Sequence, residues 1–208
     1  MIARLPTLLA ALLLLLALPA PLRAAPPGPD PIAEARRLHQ QGVDGDEQAV
    51  RDCIALLERT LAADPDNARA LAWLGSALTL RARDLGIGPA KLETLKRGGA
   101  LLDQAVAASE DPEVRLVRAI NSAKLPAVFG RRKIAREDFA LLLARARDRA
   151  RPLPVPLAQG IFLHAGAFLK SDGNRAEAER AWNDGIALAP RSDLAGQMRS
   201  ALSNRRGS

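Results

Sequence analysis

Apolar residues recur at spacings of three and four along most of the chain, the period of a helix with one buried face. In IAEARRLHQQG the apolar or small positions are Ile32, Ala35 and Leu38, and Gly42 closes the segment. EQAVRDCIALLERTLAADP sets Val50, Ile54, Leu57 and Leu61 on one stripe. DNARALAWLGSALTLRARD follows, with Asp66 or Asn67 as its cap. LETLKRGGALLDQAVAASEDP comes next and ends at Pro112, and PEVRLVRAINSAK has a short face of Val114, Val117, Ala119 and Ile120. RRKIAREDFALLLARARDRAR places Phe139, Leu142, Leu143 and Ala146 on one side, and SDLAGQMRSALSNRR reads as a last helix capped by Ser192. Turn formers separate these segments: GVDGD at 42–46, LGIGPAK, LPAVFG at 125–130, and PLPVP at 152–156, which is expected to be neither regular helix nor central strand. No stretch alternates convincingly at period two, so the expected class is all-α.

Residues 160–190, GIFLHAGAFLKSDGNRAEAERAWNDGIALAP, read as a complete helix-turn-helix unit. Gly166, Ala178 and Gly185 are small enough to let two helices approach closely, while Phe162, Leu169 and Trp182 fill the space between them. SDGN at 171–174 supplies the turn, and Pro190 ends the second helix. The spacing from Ala178 to Trp182, Gly185 and Pro190 is 4, 3 and 5, and Cys53, Leu57, Thr60 and Pro65 repeat it.

This small, bulky, small, proline order resembles the tetratricopeptide repeat, a 34-residue helical pair. The segment Leu74 to Asp84, LGSALTLRARD, also resembles one found in uncharacterised bacterial envelope proteins, which implies no activity. The repeat resemblance implies about four helix pairs and a capping helix over residues 32–202, stacked as a right-handed superhelix of antiparallel pairs. Gly75 to Pro112 is 37 residues against 24 for Gly166 to Pro190, so the second pair carries 13 extra residues, expected as a lengthened loop or helix start around Gly86 to Lys96. In such arrays a concave groove lined by the first helices takes an extended or helical peptide from another protein. By that resemblance Arg69, Trp73, Arg115, Arg118 and Asn121 are the candidate groove residues, since they sit beside the apolar stripes; core packing is the alternative for Trp73. Arginine forks there would take carboxylates, with no bond chemistry.

The N-terminus reads differently. Met1 to Arg4 is a short basic start, Leu8 to Leu18 an almost unbroken Leu/Ala run, and Pro19 to Ala25 a small-residue exit. This is the layout of a secretory signal peptide, its apolar run being shorter than the roughly 20 residues that span a membrane. Cleavage is expected after Ala24, releasing the chain to the periplasm; an uncleaved anchor facing the periplasm is the alternative. Residues 25–31, APPGPDP, then form a proline-rich leader, and residues 203–208 a disordered tail. The single cysteine, Cys53, allows no intramolecular disulfide.

The formal charge of +7 falls to +5 once Arg4 and Arg23 leave, and residues 131–151 alone hold an excess of +5. Arg131, Arg132, Lys133, Arg136, Arg145, Arg147 and Arg149 form this basic patch, together with Arg151. It suits an anionic lipid surface, a cell-wall polymer or an acidic partner, and the plainer reading is a solvated helix face. A surface-associating structural protein is therefore the alternative to a peptide-binding scaffold. Tyrosine is absent and Phe plus Trp number six, too few aromatics for stacking on bases, so nucleic acid is not an expected partner.

Candidate chemistry is sparse. His39 and His164 lack Cys, Asp or Glu at metal-ligand spacing and read as partly exposed structural histidines. Cys53 occupies a position for a small buried residue. Glu137 with Asp138, and Glu177 with Glu179, read as solvated helix faces rather than paired catalytic carboxylates. Neither an enzyme nor a cofactor or metal is expected.

Overall fold

Side chains that satisfy the free N–H groups of the first turn decide where most helices begin. The computed structural model describes residues 30–203; the segments expected as signal peptide, most of the leader and nearly all of the tail lie outside these described residues. Asp30 accepts from Ile32 N to start α1 (Pro31–Val43), so Pro31 belongs to the first helix and not to the leader. Asp46 starts α2 (Glu47–Ala63) and Asn67 starts α3 (Ala68–Asp84). Pro89 opens α4 (Pro89–Ala108), and Asp111 caps α5 (Pro112–Lys124). LPAVFG contains a single 3-10 turn, Ala127–Phe129. α6 (Arg132–Arg147) is followed by α7 (Val155–Ser171), α8 (Arg175–Leu188) and α9 (Asp193–Ser203), and Ser192 Oγ accepts from Ala195 N as the cap of α9. Among the described residues there are nine α-helices and no strand.

Two boundaries differ from those read in the sequence. α6 stops at Arg147, because Asp148 turns the chain and accepts from Ala150 N and Arg151 Nε. α7 begins inside PLPVP, with Pro156 in its first turn, where a missing N–H costs nothing. The extra length between Gly75 and Pro112 is helix: α4 runs 20 residues and starts two turns before Lys96.

Neighbouring helices pair as α1/α2, α3/α4, α5/α6 and α7/α8, with α9 covering the last pair. The odd-numbered helices also pack on one another in sequence, α1 on α3, α3 on α5, α5 on α7 and α7 on α9. They run in the same direction: Arg69 and Asp111, at the starts of α3 and α5, are bonded, Ser76 and Asn121 are bonded midway, and Arg83 near the end of α3 reaches Gly42 O at the end of α1. The core is a chain of three apolar clusters: one in α1–α3, one around α3–α5 built on Leu71, Leu102 and Val114, and one in α5–α9 built on Phe139, Ile161, Phe162, Trp182 and Met198.

Glycines set the closest approaches. A Cβ on Gly75 would stand 2.7 Å from Gly98 O, and one on Gly98 2.8 Å from Gly75 O, so α3 and α4 cross backbone to backbone. A Cβ on Gly166 would meet the Trp182 ring at 2.3 Å, and Trp182 Nε1 donates to Leu163 O at 3.1 Å, which holds the ring in that place. The bulky-against-small pattern read between residues 160 and 190 is thus the α7–α8 contact.

Candidate functional site

The first helices carry the candidate groove residues singled out by the sequence, and intramolecular partners take them up. At the start of α3, Arg69 Nε donates to Asp111 Oδ2 at 2.7 Å and lies 3.8 Å from Glu113. Glu113 also accepts from Trp73 Nε1 at 3.2 Å and from Arg36 at 2.5 Å. The half-buried Trp73 ring has the Arg36 guanidinium 6.0 Å from its centroid and the His39 ring, T-shaped to it, with centroids 5.1 Å apart. Three helices are cross-linked by this cluster.

Farther along the same helices, His39 Nε2 lies 2.7 Å from Ser76 Oγ. Asn121 is buried; its Nδ2 donates to Ser76 Oγ at 3.0 Å and Val117 O at 2.8 Å, and its Oδ1 accepts from Thr79 Oγ1 at 2.6 Å. Both donor and acceptor of Asn121 are therefore used internally, and it joins α3 to α5 instead of facing outward.

Arg115 and Arg118 converge on Asp138 of α6. Arg118 donates to both Asp138 oxygens at 2.8 Å, and Arg115 Nη1 donates to Oδ1 at 3.0 Å. Asp138 is 1% exposed, so the expectation that it lies with Glu137 on a solvated face is corrected. Glu137 is exposed, with only Lys133 near it at 3.8 Å. Adjacent helix positions point about 100° apart, which puts one acid outside and the next against the arginines of α5. Hydrogen bonding to Asp138 holds the Arg118 guanidinium above its ordinary pKa.

The basic patch is largely neutralised in the same way. Arg131 bonds both oxygens of Asp103, at 2.6 and 2.9 Å. Arg132 and Arg136 share Asp172, each with contacts at 2.9 Å, and the Arg136 hydrogen bond leads in holding the Asp172 carboxyl below the usual range. Arg147 reaches Glu177 and Asp184 at 2.8 Å each. Arg145 donates to the carbonyl of Arg151, whose own guanidinium is bonded to Asp148. Arg149 is exposed and makes no ion pair among the described residues. The counterions Asp103, Asp184 and Glu177 come from other helices and Asp172 from the turn after α7, so a count of charge along α6 could not reveal them.

The structure also gathers an open depression between α5, α6 and α7 of about 190 Å³. Its walls are Ile120, Ala123, Phe139, Ala167 and Phe168, with Lys124, His164 and Ser171 among the lining residues. Lys124 is exposed, and among the described residues no acidic side chain pairs with it. Burial, then the charge of Lys124, pushes both His39 and His164 down to about 4, so both are neutral at pH 7. The sequence marks His164 only as structural, and nothing in its spacing predicts that Lys124 of the preceding pair stands near it.

These histidines make a pH prediction. Their unfolded pKa near 6.5 exceeds the folded value, so the unfolded state binds more protons below that point and stability falls as pH drops from about 6.5 to about 4. The loss is on the order of 3 kcal/mol per histidine if each shift is fully expressed. Urea unfolding across this window should show a slope that flattens in His164→Gln and flattens further when His39→Gln is added; an unchanged slope would assign it to other groups.

Cys53 is buried, its Sγ 3.4 Å from Ala35 O, and burial pushes its thiol up to about 12. Among the described residues no group of three or more His, Cys, Asp and Glu side chains is arranged to hold a metal ion, and no helix is long and apolar enough to cross a membrane. Compared with known protein families and with curated proteins, the sequence matches none.

Proposed function

We infer that this protein is an exported, tetratricopeptide-like helical scaffold that binds a peptide segment of another cell-envelope protein on the face made by its first helices, without catalysis. The supporting observation is the unbroken packing of α1, α3, α5 and α7 side by side in one direction, which gives a continuous surface with His39, Thr79, Lys124 and His164 along it. Stacking of this kind agrees with the right-handed superhelix that the repeat spacing suggests.

The internal pairing changes the mechanism expected from sequence. Arg69, Arg115 and Arg118 have their forks occupied by Asp111 and Asp138, so their work is to fix the spacing of the first helices. Recognition instead falls to the depression beside Lys124. It has room for one apolar side chain, Lys124 supplies an unpaired cation for a neighbouring carboxylate, and neutral His164 offers a hydrogen bond. A groove formed before the partner arrives needs little ordering on binding.

A photo-crosslinking residue placed at exposed Ala167, in the depression, should capture a discrete protein from cell-envelope extract, and Lys124→Glu should abolish the capture. The same residue at exposed Ala55 on α2 is the control. Equal capture from both positions, or capture from Ala55 alone, would refute the groove reading.

A further inference from the structure

We propose that Arg132 is a positioning residue of the depression beside Lys124: from α6 it holds the last turn of α7, so that the wall met by a partner's apolar side chain is set before the partner arrives. This rests on the peptide-binding reading and gives a role to a side chain that sequence marked only as charge.

The first observation is how the depression is built. Ile120, Ala123 and Lys124 line it from α5, Phe139 from α6, and His164, Ala167, Phe168 and Ser171 from α7. Of the contacts between successive first helices, that of α5 with α7 is the slightest, so the width of the depression depends on how α7 is tied to α6. Phe139 lies against Phe168, ring centroids 5.2 Å apart and planes tilted by 30°.

The second observation is the end of α7. A helix leaves its last carbonyls without intrahelical partners, and its last turn frays unless they are taken up. Asp172 N donates to Phe168 O and Asn174 N to Leu169 O, each at 2.9 Å, and Gly173 N donates to Lys170 O at 3.2 Å, with Gly173 at a φ of +87°. The final carbonyl, Ser171 O, accepts from Arg132 Nη2 at 2.9 Å. A cation here is also favourable at the negative end of the helix dipole.

The third observation is what else the same guanidinium touches. Nη2 also donates to Ser171 Oγ at 3.3 Å, and that hydroxyl donates to Phe168 O at 2.7 Å. The guanidinium carbon stands 5.3 Å from the centroid of the Phe168 ring, a cation–π contact, and Nε donates to Asp172 Oδ1 at 2.9 Å. One side chain thus engages two of the four α7 residues that line the depression. Arg136, one turn on, bonds the same Asp172 at 2.9 and 3.0 Å, and its hydrogen bonds go to Asp172 alone. It is the matched control: the same carboxylate and the same charge, without the wall.

The test compares Arg132→Ala with Arg136→Ala in the full chain. Both should melt alike, since each removes an ion pair on a solvent-exposed face. Amide hydrogen exchange at Asp172 and Asn174, whose N–H groups close the last turn, should rise about fivefold in Arg132→Ala and keep the parental rate in Arg136→Ala. Binding is read by photo-crosslinking from Ala123, on the α5 wall that Arg132 does not bond. The amount of cell-envelope extract needed for half-maximal capture should rise about tenfold in Arg132→Ala, the order expected when one or two side chains must be ordered on binding, and stay unchanged in Arg136→Ala. Parental exchange in Arg132→Ala, undiminished capture by it, or an equal loss of capture in both variants would overturn the proposal. Failure of the parent to capture anything from Ala123 would instead remove the peptide reading, and the exchange rates alone would then decide whether Arg132 holds the wall.

Discussion

Asp138→Ala lowers stability by about 3 kcal/mol, the lower end of the range for breaking a buried ion pair, and the melting temperature by about 10 °C. Asp138 is 1% exposed and receives three hydrogen bonds from Arg115 and Arg118, whose side chains are 23% and 17% exposed. Removing the carboxylate leaves two half-buried guanidinium groups, with only Asp103 at 3.3 Å from Arg118 as a remaining partner. The partial exposure of the arginines lets water soften the loss, which is why the lower end applies. Asp172→Ala is the comparison: it also removes a carboxylate shared by two arginines, Arg132 and Arg136, but on a solvent-exposed face, and it should move the melting temperature little. Adding Arg118→Met to Asp138→Ala should recover part of the loss, since the stranded charge goes with it. Equal effects at Asp138 and Asp172 would show that burial is not what makes the first pair matter.

Gly166→Ala is the second large effect, and its sign opposes helix propensity. In an exposed helix interior the change would stabilise by about 1 kcal/mol. Here the new Cβ would stand 2.3, 2.6 and 2.7 Å from three atoms of the Trp182 ring. The indole is buried and bonded to Leu163 O, so it can yield only by giving up that hydrogen bond and disturbing the cluster with Phe162 and Met198. Overpacking costs about 1–3 kcal/mol and the lost bond about 1 more, so a net destabilisation of about 2 kcal/mol is expected by chemical denaturation. Trp182→Leu, destabilising alone by removing a large buried ring, should abolish the penalty of Gly166→Ala in the double variant. A Gly166→Ala protein at least as stable as the parent would mean that α7 and α8 are not held at this spacing.

Both effects trace to the same architecture. Each pair of helices buries its apolar stripe only against its neighbours, so local misfits have no larger core in which to relax. The ion pairs on the first helices act between pairs, Arg69 of the second with Asp111 of the third and Arg36 of the first with Glu113 of the third, which ties the spacing of the surface proposed for binding to the stability of the stack.

The sequence by itself determined the helices and their closest contacts. Periodicity at three and four, Asp and Asn caps, and prolines after helix ends are local signals, and so is the packing of Trp182 against Gly166, because the turn between α7 and α8 is too short to bring anything else opposite it. PLPVP, expected to be irregular, instead opens α7 with Pro156 in its first turn, because proline looks like a breaker in sequence, yet at a first helical turn it is favourable. The candidate binding residues were legible as polar positions beside apolar stripes, but their state was not. Whether Arg118, Arg131 or Arg136 is free depends on Asp138, Asp103 and Asp172, which lie 20, 28 and 36 residues away and reach them only through packing between helices. Only the tertiary structure decided that Asp138 is buried while Glu137 is not, and that Lys124 stands near His164. Charge and burial at these positions are set by contacts distant in sequence, whereas helix formation is set by contacts within a few residues.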